Sequence, residues 1–382
     1  MIALTILFAI GCSSGPPPPE PASELAPSLV VPPTQTPAPT PTAEPSPVES
    51  PPQSSTTAVV FPKDEGSHDT PIEWWYFNGM LRDNAGGEYS YHFVTFQLEG
   101  TSGGTPHLLQ ATLGDHRSGA HYDAETPALA PTQPEADGVD IATGGWTMRG
   151  GPDGYDMGFQ LSGADGPVDL ELSAVSQREP VLHGGNGLVD MGPEAGSTYY
   201  YSRTRLAVSG WIDDTGGRRE VSGPGWMDHQ WGDITRTDIG WDWSSIQLDD
   251  GSDLMVAVIW DPDGHRHLAG HGTYREPNGG VTHYDEDDIS ITPLGIWVSP
   301  ETGVEYPSGW RVEVAPLGLD LELTPYVEQS EFTSEFIKVS YWEGAVSVTG
   351  QREGQPVTGW GFVELVGYDP KQLEATPSPQ QP

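Results

Sequence analysis

Short runs of aromatic and β-branched residues, broken by Gly-Gly and Asp-Gly pairs, fill the chain from residue 61 to 369, and no apolar period of 3.6 persists there beyond about two turns. Gly86-Gly87 precedes Tyr89-Ser90-Tyr91-His92-Phe93-Val94-Thr95-Phe96-Gln97-Leu98, and Gly100 closes it. Similar runs follow at 145–148, 155–161, 168–172 and 199–208, and again at 241–248 and 254–260. Aromatic and β-branched side chains suit a pleated, half-buried surface, and the pairs between them suit tight turns. With 48 glycines available for hairpins, the pattern predicts an all-β barrel or sandwich.

The flanks have another character. Residues 1–11 are largely apolar and end in Ala9-Ile10-Gly11 before Cys12, the only cysteine, so no intrachain disulfide exists. This start resembles a bacterial lipoprotein signal, which implies lipidation of Cys12 and an extracytoplasmic protein held to the cell membrane or envelope by that anchor. Residues 12–60 are rich in Pro, Ser and Thr, cannot bury enough apolar surface to offset their ordering entropy, and read as a disordered spacer. Residues 371–382 read as a disordered tail. Sixteen basic against 55 acidic side chains give a formal charge of −39. That balance argues against nucleic acid as a partner, which needs a basic face, and leaves the lipid anchor as the only membrane contact.

The folded part reads as two copies of one unit. Trp74-Trp75-Tyr76-Phe77-Asn78-Gly79-Met80-Leu81-Arg82-Asp83 matches Trp241-Asp242-Trp243-Ser244-Ser245-Ile246-Gln247-Leu248-Asp249-Asp250, aromatic against aromatic at the first and third positions and Asp against Asp at the end. The first copy closes on Gly225-Trp226 and the second on Gly359-Trp360. The expected domains are 61–235 and 236–370.

Two stretches set ionisable groups among indoles: Glu73-Trp74-Trp75-Tyr76-Phe77-Asn78-Gly79 and Trp226-Met227-Asp228-His229-Gln230-Trp231-Gly232. Asp228, His229 and Glu73 are the candidate catalytic groups, because desolvation among aromatics tunes a proton's affinity. Trp74, Trp75, Tyr76, Trp226, Trp231, Trp241 and Trp243 are the candidate substrate-binding residues, and both stretches are expected to line one pocket. Neighbours on a strand face opposite sides, so Asp228 and His229 both enter a pocket only if a bulge re-aims one of them. After Trp360 the second copy reads Gly361-Phe362-Val363-Glu364-Leu365, an ordinary alternating strand, so the Asp-His pair looks like an addition for chemistry. His265, His267 and His271 have ligand-like spacing, but no cysteine or Glu motif accompanies them, so no metal is expected.

These paired motifs, followed by Trp241-Asp242-Trp243, resemble the carotenoid 1,2-hydratase (hydroxyneurosporene synthase) and AttH-like family, over about residues 61 to 369. The resemblance implies two consecutive lipocalin-like β-barrels and a reaction that needs no cofactor. Asp228 would protonate the double bond of an apolar isoprenoid or lipid, Glu73 or His229 would assist, and water would capture the cation. The competing reading is a non-catalytic lipocalin-like carrier of a hydrophobic ligand, with the Asp-His pair structural. The oligomeric state stays open.

Overall fold

The computed structural model describes residues 58–100, 104–130, 137–163, 166–193, 195–236, 239–261 and 266–370. The expected signal, Cys12, the spacer up to residue 57, the tail and His265 lie outside them. The first sheet comprises β1 (Ile72–Asp83), β2 (Glu88–Leu98), β3 (Thr105–Asp115), β4 (Ala120–Ala130), β5 (Val139–Thr143), β6 (Trp146–Gly151), β7 (Gly154–Gly163), β8 (Gly166–Ser176), β9 (Val181–Leu182), β10 (Leu188–Asp190), β11 (Gly196–Asp214) and β12 (Gly217–Ile234). Eight of these close a ring in the order β1-β2-β3-β4-β7-β8-β11-β12, with β12 returning to β1. Closure leaves the ring without an exposed edge.

The second sheet comprises β13 (Gly240–Leu248), β14 (Asp253–Asp261), β15 (Arg266–Arg275), β16 (Val281–Asp285), β17 (Ile289–Val298), β18 (Glu305–Val314), β19 (Leu319–Pro325), β20 (Glu331–Thr333), β21 (Ser340–Arg352) and β22 (Gln355–Val366). Its path runs β16-β15-β14-β13-β22-β21-β19-β18-β17, with β20 paired to β21, and no ladder joins the two ends among the described residues. The all-β, lipocalin-like expectation is therefore what the chain forms, with one closed barrel and one incomplete one.

Each strand's period of two sorts its side chains between faces. Trp75, Phe77, Phe93, Phe159 and Met227 fill the first barrel, and Ile246, Val256, Trp310 and Val363 fill the second. The alternate residues Tyr76, Val94, Trp226, Trp243, Met255 and Phe362 form a further apolar cluster where the outer faces of the two sheets meet. Polar ties cross this junction. A one-residue register shift in β11 between Arg203 and Leu206 sits where Thr204 and Arg205 reach Asp253 on β14, at 2.8 and 2.7 Å. Arg178 joins the same carboxylate at 2.8 Å.

The internal match between the copies has a structural counterpart. β1 lies between β12 and β2, as β13 lies between β22 and β14. Gly79 and Gly225 make room between adjacent strands. They face each other across the β1–β12 ladder, and a Cβ on Gly79 would stand 2.6 Å from the Tyr91 ring.

Candidate functional site

β1 and β12 pair without interruption from Ile72 opposite Gly232 to Gly79 opposite Gly225. No bulge re-aims Asp228 or His229, so they face opposite sides: both motifs line one cavity, but only through alternate residues, and the expectation that Glu73 and His229 join Asp228 there is corrected. Trp74, Tyr76, Asp228 and Gln230 point outward to the junction, whereas Glu73, Trp75, His229 and Trp231 point into the first barrel.

At the junction lies a cavity of 410 Å³, within the roughly 300–1,000 Å³ common for small-molecule sites. The first sheet contributes Trp74, Tyr76, Phe96, Tyr200 and Asp228; the second contributes Trp241, Trp243, Ile259, His271 and Glu364. Trp74 and Trp241 are only partly buried, and Leu98 is exposed, which marks the open side. Of the expected substrate-binding residues, Trp74, Tyr76, Trp241 and Trp243 line this space. Trp75 and Trp231 do not, and Trp226 stands behind Asp228 and donates its indole N–H to Oδ1 at 2.7 Å.

Asp228 is a buried polar group of the cavity wall from the first sheet. The Tyr200 hydroxyl donates to its Oδ2 at 2.7 Å, and the Ser202 hydroxyl donates to Oδ1. Burial pushes its carboxyl up to about 7, against the pull of the hydrogen bonds from Ser202, Tyr200 and Trp226. Glu364 has the same character: burial pushes it up to about 7, against a hydrogen bond from Trp241. Behind it Glu343 lies directly across the β21–β22 ladder, receives the Tyr76 hydroxyl, and is pushed well above the usual range by burial and by the charge of Glu364. Carboxyls buried together in this way hold protons that exposed ones release.

Sequence reading missed Glu364 because it matched the copies on Gly-Trp, which sets Asp228 against Phe362. The ladders give a correspondence two residues away: Tyr76 pairs with Asp228, and Trp243 pairs with Glu364. Each sheet thus presents one such pair of aromatic ring and carboxyl to the cavity. His271 also reaches it, with Nε2 lacking a hydrogen-bond partner and burial pulling its ring down to about 4. His267 lies at the surface, 3.5 Å from Glu286.

A hydrogen-bonded chain leads from Asp228 to the surface, and no motif announced it. Ser202 Oγ is 2.6 Å from His183 Nε2. His183 Nδ1 is 2.9 Å from Thr273 Oγ1, which is 3.2 Å from Nδ1 of the exposed His283. His183 is fully buried, and burial holds it well below the usual histidine range, so it is a neutral imidazole with one donor and one acceptor nitrogen.

Inside the first barrel Glu73 accepts from both His229 and His68. Burial pushes its carboxyl up, but the bonds from His229 and His68 outweigh this and leave it below the ordinary value. His229 is pulled down by burial, against its bond to Glu73. His68 comes from the segment before β1 and has no periodic signal in the sequence.

The sequence profile of the AttH-like family matches residues 52–368. The chain belongs to the AttH-like family. Among solved structures, this AttH-like chain is similar to a protein assigned as AttH from Nitrosomonas europaea, with a TM-score of 0.72 and 29% identity over 83% of this chain and 98% of that one. It also shares its fold with kievitone hydratase from Nectria haematococca, at a TM-score of 0.66 and 17% identity over 82% and 95% of the two chains. A third fold relative is CghA, solved with Sch210972, at 0.51 and 12% over 78% and 88%. No protein of curated function matches the chain.

Proposed function

We propose that this AttH-like protein is a hydratase, adding water across an isolated double bond of a small apolar isoprenoid or lipid. The observation that carries the reading is Asp228: a carboxyl held near neutral pH as a proton donor, in a cavity walled by indoles. A general acid works best when its pKa lies near the operating pH. Kinship of fold with a hydratase supports the same chemistry. The cavity accommodates a short isoprenoid or the end of a longer one, and a carotenoid terminus is the substrate that the motifs suggest.

In this reading the Asp228 proton passes to the terminal alkene carbon, and the π electrons become the new C–H bond. The tertiary cation left on the neighbouring carbon faces Trp74, Trp241 and Trp243, whose rings contribute roughly 1–2 kcal/mol each when desolvated. Water bonds to the cation, and its surplus proton goes to Glu364 on the opposite wall in its ionised form. Glu364 returns it to solvent at the open side of the cavity, which balances the proton that Asp228 regains. His271 Nε2 offers an acceptor to the incoming water.

Asp228, buried at the cavity wall, then needs a proton to complete the cycle. The chain His283–Thr273–His183–Ser202 supplies it, because each group donates to the next and His183 takes a proton at Nδ1 while releasing one at Nε2. Replacing His183 with Gln keeps polar contacts but removes that exchange. It lowers kcat and leaves KM near the wild-type value; equal kcat in both proteins across the pH range would remove the relay.

Native mass spectrometry of the full chain with lipid extraction tests the function. Wild type is expected to carry the hydrated form of a ligand that Asp228→Asn carries unhydrated. The same bound species in both proteins would instead make this a carrier. The signal-like start supports an extracytoplasmic setting with a lipid on Cys12. Radiolabelled fatty acid is expected to enter the protein in bacterial cells and to be lost in Cys12→Ala, and an unlabelled wild type would contradict the anchor.

A further inference from the structure

Three ligand-type atoms converge inside the first barrel, on the face of β12 away from the cavity. Glu73 Oε1 lies 2.8 Å from His68 Nδ1 and 2.7 Å from His229 Nε2, and one ligand atom from each residue lies within 4.8 Å of the others. The other carboxylate oxygen is held by the His68 backbone N–H at 2.8 Å and by the Gln97 side-chain amide at 3.0 Å. Oε1 therefore faces the two imidazoles with its partner oxygen already fixed.

Each imidazole is steadied at its outer nitrogen. His68 Nε2 stands 3.5 Å from Asp64 Oδ1, and its ring stacks on Trp231 at 4.0 Å with planes 1° apart. His229 Nδ1 stands 3.2 Å from the Tyr201 hydroxyl. That tyrosine has a single proton, and it donates this to Glu65 at 2.8 Å. Its oxygen is thus the acceptor for His229 Nδ1–H, which leaves Nε2 aimed at a carboxylate oxygen 2.7 Å away, a position where a metal ion can take the place of the shared proton.

We propose that His68, Glu73 and His229 form a site for a divalent transition-metal ion of the zinc class, bound through His68 Nδ1, His229 Nε2 and the Glu73 carboxylate. Two imidazoles and one carboxylate are a common zinc ligand set, which keeps a fourth position open. Nitrogen donors favour zinc, cobalt or nickel over magnesium or calcium. Outer contacts that orient the imidazoles, here the Asp64 carboxylate beside His68 and the Tyr201 hydroxyl bonded to His229, accompany such ligands. Ligand atoms about 2.0–2.1 Å from zinc stand roughly 3.3 Å apart in a tetrahedron, so the imidazoles must draw back from Glu73 by about half an ångström. The partly exposed His68 permits this and offers the entry route. The ion would pin the segment before β1 to β1 and β12. Because the site faces the barrel interior, it stands or falls independently of the chemistry at the cavity.

The test is titration of the chelator-stripped full chain with Co2+ at about 0.15 M salt, where screening weakens diffuse attraction to an acidic surface. One equivalent should bind, with the visible absorption bands of a low-coordinate site. His68→Phe keeps a ring over Trp231 but removes a ligand, and should bind at least about ten-fold more weakly. Glu73→Gln, of the same shape without the charge, is the second variant should the first fail to fold. A wild type without saturable one-equivalent binding, or a folded variant that binds as tightly, would overturn the site.

Discussion

Asp228→Asn is expected to lower turnover by about 10²–10⁴-fold, the contribution of a positioned general acid, while ligand uptake persists because Asn keeps the shape of the cavity wall and the aromatic lining is unchanged. Wild-type activity should fall as pH rises through about 7, where the carboxyl loses its proton. Stability follows the same sign. The folded pKa lies above the unfolded value of 3.8, so the folded state binds the extra proton, and the contribution of this group is complete below about pH 4 and is lost as pH rises through about 7. Glu364 acts in the same direction. Asp228→Asn should therefore melt with a flatter pH dependence than wild type between pH 5 and 8. A variant with wild-type turnover would remove Asp228 from the chemistry.

Glu65→Ala is expected to be the most destabilising single change in the first barrel. A 3-10 turn at Lys63–Glu65 carries this fully buried carboxylate to the barrel interior. There it pairs with Arg203 and accepts the hydroxyls of Tyr155 at 2.5 Å and Tyr201 at 2.8 Å. Truncation strands a buried guanidinium and leaves two buried hydroxyls without their acceptor. Breaking one side of a buried pair costs about 3–5 kcal/mol, and urea unfolding would register it as a large drop in midpoint. A loss below about 1 kcal/mol would mean that water replaces the carboxylate, against its burial.

The all-β class was legible because hairpin chemistry is local: the Gly86-Gly87 turn and the aromatic run after it predict β2 closely. β3 escaped because Thr105-Pro106-His107-Leu108-Leu109-Gln110-Ala111 is buried on both faces and shows no alternation. The two motifs were legible as neighbours, and Tyr76 does pair with Asp228. What residue types could not give was the side each residue faces, since one uninterrupted ladder divides Asp228 from His229. Glu364 was hidden by a two-residue offset between sequence similarity and strand register. Ser202, His183 and Thr273 were hidden because their chain crosses from one sheet to the other, a contact that no local spacing encodes.

The central claim is that water is added in the cavity between the sheets by an acid at Asp228. Its most direct test is to incubate the full chain with a lipid extract of its host in H2 18O and compare wild type with Asp228→Asn. Hydration predicts a product heavier than its precursor by one labelled water, formed by wild type and absent from the variant. An extract that wild type binds but leaves unlabelled would contradict the enzyme and leave a carrier.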